Sequence, residues 1–295
     1  MANKTSLQDK VSRRDFLKLL KVGAIDLGLL ALGGCGWSFV IEPNWIKVEH
    51  VNLTLPRLTS AFSGLRIVQI SDIHMGSWMN AERLQNVADK VAEQKPDLLF
   101  LTGDFLVGHV FDRDSEVLLQ DMVNILSPLA NSFPSFGILG NHDYWTKSGA
   151  VRSMLKDSGI VELSNSVFTI SRGNEHLHVC GVDDVWERHA RLDKVVEKLL
   201  DDSTAILLAH EPDFADISAK TGRFDLQVSG HSHGGQVVIP FVGPPILPYL
   251  GQKYHTGLYQ VGNMLQYTNR GVGMATPPVR FNCPPEITVF TLESA

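Results

Sequence analysis

The sequence predicts an α/β fold, a sandwich of two mixed sheets flanked by helices. Three observations predict it. Short apolar runs alternate with stretches of helical spacing, hairpin-like pairs of runs replace the helices later on, and no repeat or composition break divides the body. Residues 36–64 read as a linker and lead-in, extended over 48–55. Residues 65–71 form a β-branched strand, and 81–94 a helix with Leu84, Val87, Ala88 and Val91 on one face. Residues 97–102 are a buried strand, 116–126 a helix, 135–139 a strand and 150–157 a helix. Residues 161–170 and 176–182 read as strands joined by the turn Arg172-Gly173-Asn174. A helix at 192–200, a strand at 204–209, a short helix at 214–220 and a strand at 226–229 follow. The end holds strands at 236–239, 258–261, 264–268 and 287–292.

Composition narrows the function. The 295 residues are 44% apolar and 20% charged, enough for a buried core and unlike a disordered chain. The net charge is −6 and no block of five basic residues occurs, which disfavours a nucleic-acid partner. Cys35, Cys180 and Cys283 are too few for a disulfide framework, and the last two read as small apolar residues.

The charge is uneven. Residues 1–35 hold six Lys/Arg against three Asp/Glu, leaving −9 on the rest. Ser12-Arg13-Arg14-Asp15-Phe16-Leu17-Lys18 resembles the twin-arginine export signal. The stretch 19–34 is weakly apolar, broken by Lys21 and Asp26, and short of a clean spanning helix. Leu32-Gly33-Gly34-Cys35 resembles a lipobox, with Cys35 as the expected acylated residue; a plain signal or an uncleaved segment is the alternative. The expected layout is a signal at 1–35, a linker and lead-in strand at 36–64 and a catalytic domain at 65–295. The expected location is exported, on the exoplasmic side of the cell membrane, reached through the twin-arginine machinery.

Five clusters of metal-binding residue types each follow an apolar strand. They are Asp72-Ile73-His74, Gly103-Asp104, Gly140-Asn141-His142-Asp143, His210 and Gly230-His231-Ser232-His233. Ligands of α/β sheets gather at the carboxyl ends of strands, so these turns can converge on one cleft. Each cluster alone has an ordinary explanation, as a polar turn or a satisfied core histidine. The set, in this order, resembles the calcineurin-like metallophosphoesterase family, whose pattern is D-x-H, G-D, G-N-H-[DE], a lone H and G-H-x-H. The resemblance covers about residues 65–292.

The resemblance implies a four-layer α/β/β/α metallophosphoesterase sandwich and two divalent metal ions. Asp72, His74 and His233 would hold one ion, Asn141, His210 and His231 the other, and Asp104 both. Such a pair, roughly 3.5–4 Å apart, clamps a phosphoryl group for in-line attack by water. Mixed imidazole and carboxylate donors suit Mn, Fe or Zn. His142 would be catalytic, protonating or stabilising the leaving oxygen; its alternative is packing beside Asn141. Asp143 would orient His142 or shape the turn.

One departure matters. Phosphoprotein phosphatases of the family continue the second block as G-D-x-x-D-R-G. Here it reads Gly103-Asp104-Phe105-Leu106-Val107-Gly108-His109, without the second Asp or the Arg. A dianionic monoester is thereby disfavoured, and a phosphodiester or pyrophosphate favoured. Residues 239–250 are apolar, proline-rich and uncharged, which suggests a loop resting on a bilayer and admitting a lipid headgroup, or one folded onto the sheet edge. Arg270 and Arg280 lie in segments resembling exported, membrane-associated bacterial phosphodiesterases. Either would grip a phosphate or form a structural ion pair.

The expected activity is hydrolysis of phosphodiester or pyrophosphate bonds, in a membrane lipid headgroup. A UDP-2,3-diacylglucosamine pyrophosphatase, a phosphomonoesterase and a non-catalytic metal- or lipid-binding lipoprotein are the alternatives.

Overall fold

Central strands are apolar at consecutive positions because both their faces are covered. In the computed structural model, Leu98 and Phe100 of β3 (Leu98–Thr102) enter one apolar cluster, and Leu99 and Leu101 enter another. The structure describes residues 13–14, 17–18, 21, 33–108, 111, 113–199 and 201–295.

The described strands form two six-stranded mixed sheets. The first runs β1 (Lys47–Leu55), β12 (Glu286–Ser294), β2 (Arg66–Ile70), β3, β4 (Ser135–Ile138) and β5 (Val161–Glu162). Strands β2 to β5 are mutually parallel, while β12 is antiparallel to β2 and parallel to β1. The second runs β10 (Gly257–Val261), β11 (Met264–Thr268), β9 (Leu226–Ser229), β8 (Thr204–Leu208), β7 (Glu175–Gly181) and β6 (Ser166–Arg172). Its centre is parallel and its two outer pairs are antiparallel.

Between the sheets, Leu53, Phe62, Phe100 and Phe136 meet Leu177, Ile206, Val228 and Tyr267. Outside the first sheet lie α1 (Ala81–Glu93), α2 (Arg113–Ser132) and, after the short α3 (Asn141–Thr146), α4 (Ser148–Asp157). Leu84, Val87, Met122, Leu126, Val151 and Leu155 are their buried faces. Helix α1 starts where Asn80 Oδ1 accepts the Arg83 N–H at 3.0 Å, a side-chain N-cap. Outside the second sheet lie α5 (Leu192–Glu197) and the single turn α6 (Ala215–Ser218), with Val195, Phe214 and Ala215 packed inward. The order of layers is therefore α/β/β/α, as expected.

Three expectations change. The run 161–170 is two strands in different sheets, since Asn165 takes φ 53° and turns the chain between them. Asn tolerates that left-handed backbone better than most residues. No strand forms at 236–239, where Gln236 takes φ 56° and Val237 makes one isolated bridge to Phe281. Helix α2 runs past Pro128 to Ser132, with buried Leu129 holding the last turn against the core.

Ser12, Asp15 and Phe16 of the export string, most of the apolar stretch 19–34 and Leu32 of the lipobox lie outside the described residues. No helix among the described residues is long and apolar enough to cross a membrane. Cys35 is exposed, Cys180 and Cys283 are buried, and all three are unbridged.

Candidate metal centre

The five clusters meet at one place. Asp72 and His74 follow β2, Asp104 follows β3, and Asn141 and His142 open α3 after β4. These are neighbouring parallel strands, so their carboxyl ends lie side by side. His210 follows β8, and His231 and His233 follow β9, the matching pair in the second sheet. Sheet packing then brings the two rows together.

Donor atoms of Asp72, His74 and His233 lie within 4.8 Å of one another, and so do those of Asp104, His210 and His231. Asp104 Oδ2 sits 3.5 Å from His74 Nε2 and 3.3 Å from His210 Nε2, so one carboxylate touches both groups. His233 Nε2 is 3.3 Å from Asp72 Oδ1 and 3.0 Å from His74 Nε2. All of these side chains are buried.

Burial sets the charge states. It pushes the His74 imidazole down to about 3 and holds His233 well below the ordinary histidine range. His231 is lowered by burial and then by the nearby His210. Neutral imidazoles keep a lone pair for a cation. His210 behaves oppositely: burial lowers it, but Asp104 and Asp72 outweigh burial and raise it. Asp104 is held well below the usual carboxylate range by His210 and His142, against burial. Asp72 is pushed up to about 6, chiefly by burial.

The residues fit divalent cations. Asn141 Oδ1 is buried with no hydrogen-bond partner, which costs free energy unless a ligand is meant to occupy it. Two imidazole nitrogens crowd together at 3.0 Å between carboxylates, an arrangement that positive charge relieves. Outer contacts aim the rings. The His210 Nδ1 faces the Thr102 carbonyl at 2.6 Å, leaving Nε2 toward Asp104. His231 Nε2 faces the Tyr249 carbonyl at 2.8 Å, leaving Nδ1 for the cluster.

Backbone strain fixes the ligands further. Asp72, His74, Asp104, His231 and His233 all have φ between 50° and 70°, in the left-handed region. Only glycine fits between the loops. A Cβ on Gly140 would lie 2.7 Å from His210 Nε2 and strike Asp104, and one on Gly230 would strike Ser71 Oγ and Asp72.

Asp143 shapes the turns rather than orienting His142. Its carboxylate accepts N–H groups from Gly140 and Asp104 at 3.0 Å, from Phe105 at 2.8 Å and from Leu106 at 3.3 Å. It thus ties the Asp104 loop to the start of α3. Asp143→Asn puts an amide NH2 against some of those N–H groups. The expected cost is about 3 kcal/mol of stability and a 10–100-fold weaker cation affinity. Calorimetry and Mn titration of the variant check this, and an unchanged Mn affinity would refute it.

His142 stands beside the cluster. Its ring packs edge-on to His74 at 4.7 Å and tilts against Trp145 at 4.8 Å. Nδ1 faces the Val107 carbonyl at 3.2 Å, so a backbone oxygen steadies the ring in a chain whose second block lacks the support Asp.

A cavity of roughly 410 Å³ opens over Asp104, Asn141, His142, His231 and His233. Trp145 and Trp186 wall one part, and Val237, Pro245, Ile246, Pro248, Pro277 and Val279 another. No lysine or arginine lines it among the described residues.

Arg270 and Arg280 do not reach that cavity. Arg270 pairs with Glu49 at 2.7 Å and Glu286 at 2.5 Å. Arg280 is fully buried and donates to the carbonyls of Arg270, Gly271, Gly273 and Cys283. Both take the structural role rather than a place at a phosphate. Trp186, a residue of the cavity wall, escaped the sequence reading, although it lies in the segment after β7 as the metal-site residues lie after their strands. Glu211 accepts the N–H groups of Val185 and Trp186 and thereby anchors that tryptophan, whose ring meets His231 edge-on at 5.5 Å.

A family model described as calcineurin-like phosphoesterase matches residues 65–235. The chain is 36% identical over 288 residues to the uncharacterized metallophosphoesterase YkuE of Bacillus subtilis, covering 97% of this chain and 99% of the relative. It is 30% identical over 285 residues to phosphodiesterase YaeI of Escherichia coli, covering 96% and 99%. It is 26% identical over 309 residues to the UDP-2,3-diacylglucosamine pyrophosphatase LpxG of Chlamydia muridarum, covering 86% and 91%. With this site and these relatives, the chain belongs to the calcineurin-like phosphoesterase family and is a metal-dependent phosphoester hydrolase.

Proposed function

We propose that the chain hydrolyses a phosphodiester or pyrophosphate bond in a membrane lipid headgroup, at the exoplasmic face of the cell membrane. Asp72, His74 and His233 would hold one cation, Asn141, His210 and His231 a second, with Asp104 shared. Bound cations supply Lewis acidity at the phosphoryl oxygens and lower the pKa of water. The observation that carries the hydrolytic reading is the single carboxylate of Asp104 within 3.5 Å of both donor groups.

The protein's own groups do the rest. With Nδ1 turned to Val107, His142 Nε2 is the nitrogen that can pass a proton to the leaving oxygen. Trp145, Trp186 and the proline-rich wall exclude water beside the reacting phosphorus. The apolar wall, with no lysine or arginine among the described lining residues, supports a phosphodiester carrying an apolar group. A dianionic monoester or a UDP group would call for lysine or arginine partners beside the cations, and none lines the cavity among the described residues. The YaeI and LpxG relatives bracket the two bond types. The export string and the lipobox-like Cys35 support the location, which mass spectrometry of the mature N-terminus tests.

His142→Asn is expected to lower kcat on bis(p-nitrophenyl) phosphate by about 10²–10⁴-fold while Mn content stays at the wild-type level. Unchanged kcat would remove the residue from the mechanism. Rates with Mn on phospholipids in mixed micelles, on UDP-2,3-diacylglucosamine and on p-nitrophenyl phosphate test the substrate class. Fastest turnover of the monoester overturns the diester reading.

A further inference from the structure

We infer that the chain carries a two-part membrane-docking face, in which Trp37–Ile41 and the loop 239–249 meet the lipid interface together beside the cavity mouth. The inference rests on the lipid phosphodiester reading and adds a partner surface to it. Its basis is a junction between segments some two hundred residues apart. The Arg280 N–H donates to the Ser38 carbonyl at 3.0 Å, and the N–H groups of Asn282 and Cys283 donate to Glu42. On the other edge of the same segment, the Phe281 N–H donates to Gln236 and the Val238 N–H to Phe281. The N-terminal turn and the root of the loop therefore flank one short strip of backbone.

Both flanks expose apolar side chains. Phe39, Val40 and Ile41 are half-exposed or more, Val242 and Ile246 about four-fifths, and Phe241 wholly. Neither flank offers an exposed charge. The loop has none in its sequence, and Glu42, the one acid of 36–46, is turned inward at 2% exposure, where it also takes the Trp37 indole N–H at 2.6 Å. On a body carrying a net −9, an uncharged apolar face is not explained by water.

Three features select a lipid surface as the occupant. The chain enters Trp37 directly from the basic, weakly apolar residues 1–35, so the leader joins the molecule at this face. Trp45 and Tyr249 are exposed near its ends, with Lys47 Nζ 5.7 Å from the Trp45 ring. Tryptophan, tyrosine and lysine are the residues that settle at headgroup level. Third, Pro245, Ile246 and Pro248 of the same loop line the cavity, so a headgroup reaches the cations without its acyl chains leaving the bilayer.

The test uses the full chain, loaded with Mn, and vesicles of phosphatidylglycerol and phosphatidylcholine. Two double variants, Phe39→Ser with Val40→Ser and Phe241→Ser with Val242→Ser, are each expected to weaken vesicle partitioning about tenfold. Turnover of soluble bis(p-nitrophenyl) phosphate is expected to stay within about twofold, because none of the four residues lines the cavity. A third variant, Phe241→Trp, guards against binding through the leader alone, and brominated lipid is expected to quench its new indole. Unchanged partitioning with no quenching overturns the docking face, as does a wild-type dimer that these substitutions dissociate in the absence of lipid. Vesicle binding with quenching, but no diester turnover in the wild type, upholds the face and overturns the catalytic reading.

Discussion

Asp104→Asn is expected to reduce kcat about a thousandfold or more, equivalent to ~4 kcal/mol or more of transition-state stabilisation. Asp104 Oδ2 lies 3.3 Å from His210 Nε2 and 3.5 Å from His74 Nε2, at the seam of the two donor groups. An amide keeps the size of the side chain and can still accept the His142 N–H, which reaches Oδ1 at 2.9 Å. What it removes is the anion that two cations would share. Turnover of bis(p-nitrophenyl) phosphate and metal content by mass spectrometry read the effect together. Less than the wild-type complement of bound Mn is expected. A variant with full metal and full turnover would show that Asp104 is not the shared ligand.

Chelation is expected to abolish turnover and lower Tm, with Mn restoring both, and the pH dependence of Mn affinity has a definite sign. Asp104 and Asp72 raise His210 above the ordinary histidine range, so it carries a proton at neutral pH that a cation must displace. Asp72 takes up a second proton below about 6, because burial raises it. His74, His231 and His233 stay neutral through burial and ask for no proton release in that range. Affinity is therefore expected to rise about tenfold per pH unit above pH 6.5, and about a hundredfold per unit below pH 6. Calorimetric titration across pH 5–8 checks the slopes. A flat profile would contradict the charge states assigned to His210 and Asp72.

The order of layers was legible because the strands repeat one pattern. Runs such as 98–101 are apolar at every position only when both faces are covered, and α1 shows its buried face as Leu84, Val87, Ala88 and Val91. The ligand clusters were legible because each follows such a run. What escaped depends on contacts the chain makes with distant parts of itself. Nothing in the sequence near 161–170 says that Asn165 hands the chain from one sheet to the other. An arginine beside a glycine loop reads as a phosphate contact, yet Arg280 spends its guanidinium on four backbone carbonyls. Asp143 sits next to His142 in the chain, but its partners are mostly amides some 38 positions away. The segment 36–46 read as a linker because its partners lie beyond residue 279.

Five of the seven metal-site residues sit on an uncommon, left-handed twist of the main chain. Copying Asp72, His74, Asp104, His231 and His233 onto ordinary turns of another scaffold would reproduce the inventory and misplace every donor atom. An engineer wishing to borrow this centre must graft the strand-end loops whole, glycines included.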